Sequence, residues 1–209
     1  MNGYDLSNIE HWAFSDLSAL TELRSNQLTH LTDNMFKGLS NLVLDAACGI
    51  RSLQKLNLSF RNRSVLDDAL LRSCVNLREL TFHANALGDL SESSLREMTR
   101  LTRLEIESNE LSRIPVAVRN MSSLTHLSFQ SNQITKLKCP DFLNLPSLQE
   151  LNLNFNTISK LKAFKDLKNL KVLFIERNLL SQLDYTFGTS FPSLVRLNHY
   201  DRSLQTIVN

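Results

Sequence analysis

One apolar pattern, written five times in full, constrains this 209-residue chain more than any other feature. It reads Leu77-Arg-Glu-Leu80-Thr-Phe82-His-Ala-Asn85-Ala-Leu87 and then Leu101-Thr-Arg-Leu104-Glu-Ile106-Glu-Ser-Asn109-Glu-Leu111. It returns from Leu124, Leu148 and Leu170, with Asn132, Asn156 and Asn178 in the same slot, and begins again at Leu194. The steps between first leucines are 24, 23, 24, 22 and 24 residues. A coiled coil does not fit, because these steps are not multiples of seven and asparagine recurs where a heptad wants an apolar residue.

Within each copy the residues alternate apolar and polar over a few positions, as in a short strand with one buried face. Leu101, Leu104, Ile106, Leu111 and Ile114 point inward and stack on their counterparts in neighbouring copies. No copy buries that face alone, so stability comes from neighbour-to-neighbour stacking. The form L-x-x-L-x-L-x-x-N-x-L at this period is the signature of the leucine-rich repeat. The fold class expected is α/β: a horseshoe solenoid with a concave parallel sheet and a convex side of loops and short helices. Its strands should centre near Leu80, Leu104, Leu127, Leu151 and Leu173. The asparagines have their own task. The chain turns sharply after each strand and leaves backbone N–H and C=O groups inside. Asn carries two donors and an acceptor on a short arm, so a ladder of Asn85, Asn109, Asn132, Asn156 and Asn178 can satisfy them.

Residues 1–209 read as a single domain, with 77–197 the regular repeats and 1–60 irregular or gapped. Phe14-Ser-Asp-Leu17-Ser-Ala-Leu20 and Phe36-Lys-Gly-Leu39-Ser-Asn-Leu42 repeat the same return-leg ending. Yet Leu23 stands three residues before Asn26, where Leu80 stands five before Asn85. A return leg of about ten residues is lacking before Leu53, judged against a typical repeat. Missing residues near Asn8–Trp12, Leu23–Asn26, Leu42–Asp45 and Leu53 are expected, with degenerate repeats the alternative. Arg61 and Asn62 occupy the next asparagine slot, which points to a protruding loop from Phe60 to Asp67. Leu161 to Leu167 reads as a more helical return leg. Pro115, Pro140, Pro146 and Pro192 all fall outside the strands, where proline would remove a ladder donor.

The net charge of +2 gives no basic field of the kind that marks nucleic-acid binders. No apolar run reaches the ~18–20 residues of a membrane span, and the opening Met1-Asn-Gly-Tyr4-Asp5 carries no signal-peptide pattern. Cys74 falls in the slot of Met98 and Met121 and is expected as a buried free thiol. Cys48 falls on an asparagine slot, and Cys139, before Pro140, is the disulfide candidate. Extracellular repeat proteins commonly seal their ends with cysteine caps, so the lack of them points to a fragment or an intracellular protein. The glycines form no phosphate loop. His11, His30, His83, His126 and His199 lack metal-ligand spacing. No serine or cysteine sits in a nucleophile elbow. The chain is expected to be non-catalytic and to need no cofactor or metal. Sequons occur at Asn57, Asn62 and Asn120, a number that chance alone would give. Asn62 and Asn120 are the accessible places for a glycan.

Polar positions between the strand leucines project onto the concave sheet. One row holds Thr81, Glu105, Ser128, Asn152 and Phe174, preceded along the strands by Arg103 and His126. The next holds His83, Glu107, Gln130, Asn154 and Glu176, and a third Ala84, Ser108, Ser131, Phe155 and Arg177. Exposed aromatics beside polar groups are typical anchors for protein partners. The expected ligand surface is therefore His83, Arg103, Glu105, Glu107, His126, Gln130, Asn154, Phe155, Phe174 and Glu176. The bland reading is a solvated sheet. His83 and His126 are either ordinary surface histidines or groups that sense acidification.

The copies from Leu77 to Leu197 resemble the extracellular repeats of animal Toll and Toll-like receptors. Leu124-Thr-His-Leu127-Ser-Phe129-Gln-Ser-Asn132-Gln-Ile134 and Leu148-Gln-Glu-Leu151-Asn-Leu153-Asn-Phe155-Asn156-Thr-Ile158 carry the likeness. The resemblance implies recognition of a microbial product, nucleic acid or cytokine-like protein, a receptor homodimer, and signalling through a separate cytoplasmic domain. The partner would be a protein or pathogen-derived macromolecule, with nucleic acid not indicated by the charge. Membrane contact would come only through parts outside this chain, placing it at the cell surface or in the endosomal lumen. The alternative is a leucine-rich-repeat scaffold or adaptor, secreted or cytosolic, mediating protein–protein contacts; a weaker one is an inhibitor that caps an enzyme.

Overall fold

The computed structural model describes residues 54–57, 59, 71, 74–161, 167–181 and 191–198, together with the backbone of 22–24. Three-residue strands follow one another as β1 (Glu22–Arg24), β2 (Lys55–Asn57), β3 (Glu79–Thr81) and β4 (Arg103–Glu105). They continue as β5 (His126–Ser128), β6 (Glu150–Asn152), β7 (Val172–Phe174) and β8 (Arg196–Asn198). All pair in parallel, in chain order, in one sheet. The register aligns repeat on repeat: Leu56, Leu80, Leu104, Leu127, Leu151, Leu173 and Leu197 face one another across neighbouring strands. The expected strand centres at Leu80, Leu104, Leu127, Leu151 and Leu173 are those observed, and the fold is the leucine-rich-repeat solenoid.

Each repeat enters its strand by the same tight turn. The first leucine donates its N–H to the carbonyl three residues back, as in Leu101 to Met98, Leu124 to Met121 and Leu148 to Leu145. That bond directs the leucine inward and starts the strand. Leu80, Leu104, Leu127, Leu151 and Leu173 are all buried, and Phe82, Ile106, Phe129, Leu153 and Ile175 form a second inner column. Burying one such side chain contributes about 1.5–3 kcal/mol, and each column continues into the next repeat, so the core is a stack of shared layers. After each strand the chain bends through a left-handed residue: Ala84, Ser108, Ser131, Phe155 and Arg177 have φ between 47° and 56°.

The asparagines sit just behind these bends and are 5–9% exposed. Asn132 Nδ2 donates to the Ile106 carbonyl at 2.8 Å, while its Oδ1 accepts the Leu111 N–H at 3.1 Å. Asn109 bridges Phe82 O and Leu87 N in the same manner, Asn156 bridges Phe129 O and Ile134 N, and Asn178 bridges Leu153 O and Ile158 N. Asn85 donates to the His83 carbonyl at 3.1 Å. Asn109, Asn132, Asn156 and Asn178 thus tie their own repeats to the ones before them, fixing the bends that carry the concave residues.

The convex side has short 3₁₀ turns at Val116–Val118 and Cys139–Phe142. Pro140 is the second residue of the latter, and buried Asp141 accepts the Lys138 N–H at 2.6 Å and faces Arg119 at 3.7 Å. Two cysteine expectations are corrected here. Cys74 is not a free thiol: it is disulfide-bonded, with its partner outside the described residues. Cys139 is exposed and is a thiol, not half of a disulfide. The slot logic placed Cys74 in the core correctly, at 2% exposure, but burial does not distinguish a thiol from a disulfide. The four places of expected missing residues, the loop from Phe60, the slot of Cys48 and the return leg after Leu161 lie outside the described residues. Among those described, no helix is long and apolar enough to cross a membrane.

Candidate functional site

The strands present their outward side chains on the concave face, where repeats meet at the spacing of neighbouring strands, about 4.8 Å. Neighbouring residues therefore pair across the sheet. Glu105 accepts Arg103 Nε at 2.8 Å and Thr81 Oγ1 at 3.3 Å. Glu107 accepts the Ser128 hydroxyl on one oxygen and faces His83 Nε2 at 3.2 Å with the other. His126 Nε2 lies 3.8 Å from Glu150, and its Nδ1 shares a 2.8 Å hydrogen bond with Thr125 Oγ1. Asn152 donates to Gln130 Oε1 at 2.9 Å, and Lys55 pairs with Glu79 at 3.0 Å. A small cleft of about 50 Å³ opens at the centre, lined in part by Arg103, Glu105, Glu107, His126, Ser128 and Glu150. Carboxylates dominate this centre, and its arginine, Arg103, is already engaged with Glu105. Such a surface favours cationic or neutral groups and disfavours phosphate.

Most residues singled out from the sequence converge on this face, but they differ in what they offer. Phe155 is 49% exposed and projects from a left-handed backbone, φ 55°. Phe174 is half-buried, with the Arg196 guanidinium 5.6 Å from its ring centre. Glu176 is half-buried as well. Asn154 presents little surface: it is 8% exposed, and its Oδ1 accepts the Glu176 N–H at 2.6 Å. Glu107 is also less open than a freely solvated carboxylate, its side chain being 16% exposed. Glu79 and Glu150 were missed by the sequence reading. Their signal was available, since each immediately precedes the central strand leucine and so points to the same face as Arg103 and His126. Asn62 lies outside the described residues. Asn120 is exposed on the convex side, and away from the sheet Asp89 hydrogen-bonds Arg113 and holds its guanidinium more firmly protonated.

The backbone of Phe155 carries a prediction. Left-handed geometry costs a residue with a Cβ roughly 1–2 kcal/mol, and asparagine tolerates it best after glycine. Asn120 and Asn144 adopt it on the convex side at φ 65° and 54°. Phe155→Asn is expected to raise stability by about 0.5–1 kcal/mol in denaturant unfolding. A loss instead would mean the ring is packed in a way its exposure does not suggest.

Comparison with known proteins places this geometry. The profile of the family described as "Leucine rich repeat" matches residues 51–111 and 100–158. A two-copy leucine-rich-repeat profile matches 146–187, and a BspA-type leucine-rich-repeat profile matches 3–44. Human Toll-like receptor 8 is 28% identical over 191 residues, 87% of this chain and 18% of that protein. Mouse podocan-like protein 1 is 27% identical, covering 95% of this chain and 34% of its own length. Mouse leucine-rich repeat serine/threonine-protein kinase 1 is 29% identical over 75% of this chain and 7% of its own length. This chain thus spans about a third or less of these relatives. Among solved structures, the TLR13–ssRNA13 complex superposes with a TM-score of 0.74 at 23% identity, over 91% of this chain and 27% of that one. The Drosophila Toll–Spatzle complex gives 0.70 at 19% identity, over 91% and 25%. These structural matches concern the fold.

Proposed function

The chain belongs to the leucine-rich repeat family and resembles a Toll-like receptor ectodomain, and from that premise we propose that it is a ligand-recognition segment of such a receptor. In this reading residues 1–209 act as one solenoid domain of an innate immune receptor. Its ligand is a macromolecule held on the concave face, and the receptor dimerises to signal through parts outside this chain. The observation that carries the reading is the central concave cluster of Glu105, Glu107 and Glu150, together with the exposed ring of Phe155 at the bend after β6. It offers an aromatic anchor and carboxylates for basic side chains, the combination that a protein partner uses. Of the two ligand types found with similar folds, single-stranded RNA and the protein Spatzle, the charge favours the protein type. The disulfide at Cys74 supports an extracellular or endosomal-lumen setting over a cytosolic adaptor, because structural disulfides persist in oxidising compartments. Nothing in the cluster requires it to be an enzyme.

The test is direct binding of the immobilised chain to a Spatzle-type protein and to a single-stranded RNA at physiological salt. Capture of the protein is expected, with Phe155→Ala weakening it about tenfold or more, equivalent to ~1.4 kcal/mol. RNA capture that survives Phe155→Ala would defeat the concave protein site.

A further inference from the structure

Three sequons are present, and their surroundings differ. Asn57-Leu58-Ser59 begins inside β2. The Asn57 oxygen accepts the Ser59 N–H at 3.0 Å, and Ser59 is 3% exposed with its hydroxyl accepting the His83 N–H at 3.0 Å. Asn57 thus lies in the ligand-facing sheet between two neighbouring strands. Asn62 is outside the described residues. Asn120-Met121-Ser122 is the sequon with an open setting: Asn120 and Ser122 are exposed, and Met121 is buried between them as a root in the core.

The Asn120 side chain is held in a form that leaves its reactive atom available. Asn144 Nδ2 donates to Asn120 Oδ1 at 2.7 Å, which fixes the amide through its oxygen. A glycan is bonded through Nδ2 and leaves that oxygen acceptor intact. There is also room. Asn120 and Ser122 wall both a convex cleft of about 180 Å³ beside Met98 and Ala117 and a shallower groove of about 530 Å³ running toward Pro146 and Lys168. A left-handed asparagine needs no glycan to explain it, since Asn144 has the same geometry without a sequon. Exposed Ser122, two residues on, supplies the hydroxyl of the acceptor sequence.

We propose that Asn120 is an N-glycosylation site, a reading that rests on the extracytoplasmic placement put forward above. In the reaction Nδ2 attacks C1 of the first sugar of a lipid-pyrophosphate-linked oligosaccharide. The C1–O bond to pyrophosphate breaks as the C–N bond forms, the lipid pyrophosphate leaves, and Nδ2 gives up one proton. The product is a bulky, solubilising surface group standing on the side opposite the ligand-facing sheet.

The experiment has two arms. In the first, the full chain is secreted from eukaryotic cells behind a cleavable signal peptide, and tryptic peptides are weighed before and after enzymatic deglycosylation. A glycan on the Asn120 peptide, lost in Ser122→Ala and kept in Ser122→Thr, is expected. A secreted chain that unfolds cooperatively yet carries an unmodified Asn120 would overturn the proposal. In the second arm the same peptide is weighed from the protein in its native cells. An unmodified Asn120 there, against a modified one in the first arm, would overturn the placement and leave the geometry of the acceptor standing.

Discussion

Asn132→Ala is expected to lower stability by about 3–5 kcal/mol, far more than a polar-to-alanine change usually does. The estimate follows from which groups lose their partner. Asn132 Nδ2 reaches the carbonyls of Ile106, Phe129 and Gln130, and Oδ1 takes the Leu111 N–H. Two of those carbonyls keep other donors: Asn156 Nδ2 still bonds Phe129 O, and the Ser108 N–H still bonds Gln130 O. Ile106 O and Leu111 N are left buried and unsatisfied, at about 1–3 kcal/mol each, and a cavity remains where the amide stood. Gln133→Ala next door, an exposed position, should move stability by no more than ~0.5 kcal/mol. Asn132→Asp is a sharper probe. It keeps the acceptor for Leu111 but turns a carboxylate toward the Ile106 carbonyl, so it should be no better than alanine at neutral pH. Urea unfolding of the three variants decides the matter. An Asn132→Ala loss under ~1 kcal/mol would mean that water or relaxation satisfies the bend, and that the ladder is not what couples the repeats.

The ladder was legible because its residues repeat: the same side chain at the same distance from the same leucines forces the same role in every copy. The strand centres were legible for the same reason, since a one-residue slip would turn Leu127 outward and Ser128 or His126 inward. What a single position does off the repeat was harder to read. Phe155 and Arg177 occupy a left-handed bend that Ala84, Ser108 and Ser131 also occupy. None of these residue types signals that backbone, which is imposed by the asparagine behind it and not by the residue itself. The concave face was read as rows along the sheet, whereas its chemistry is made of pairs across it, such as Glu107 with Ser128 and His83. Pairs of that kind depend on rotamers that a sequence does not list. Asn154, placed in the ligand row, is 8% exposed and accepts the Glu176 N–H, because a short amide beside a strand end satisfies the nearest N–H first.

Breaking the disulfide at Cys74 is expected to lower stability by about 2–5 kcal/mol, the usual range for a native disulfide in a small domain. Two roles meet at this residue. Cys74 is 2% exposed in the slot that Met98 and Met121 fill in later repeats, and its carbonyl accepts the Leu77 N–H at 3.1 Å in the turn that launches β3. The sulfur therefore packs in the core while its bond holds the start of the regular repeats to another part of the chain. Reduction removes only the bond; Cys74→Ala removes the bond and the packing and should cost more, by roughly 1 kcal/mol for the lost contacts. Thermal unfolding with and without reductant, followed by thiol counting under denaturing conditions, separates the two contributions. If the oxidised protein shows three titratable thiols and reductant leaves its unfolding unchanged, Cys74 is a core residue like the methionines of its column. The placement in an oxidising compartment would then lose the support of the disulfide, and measuring the Asn120 peptide would decide it.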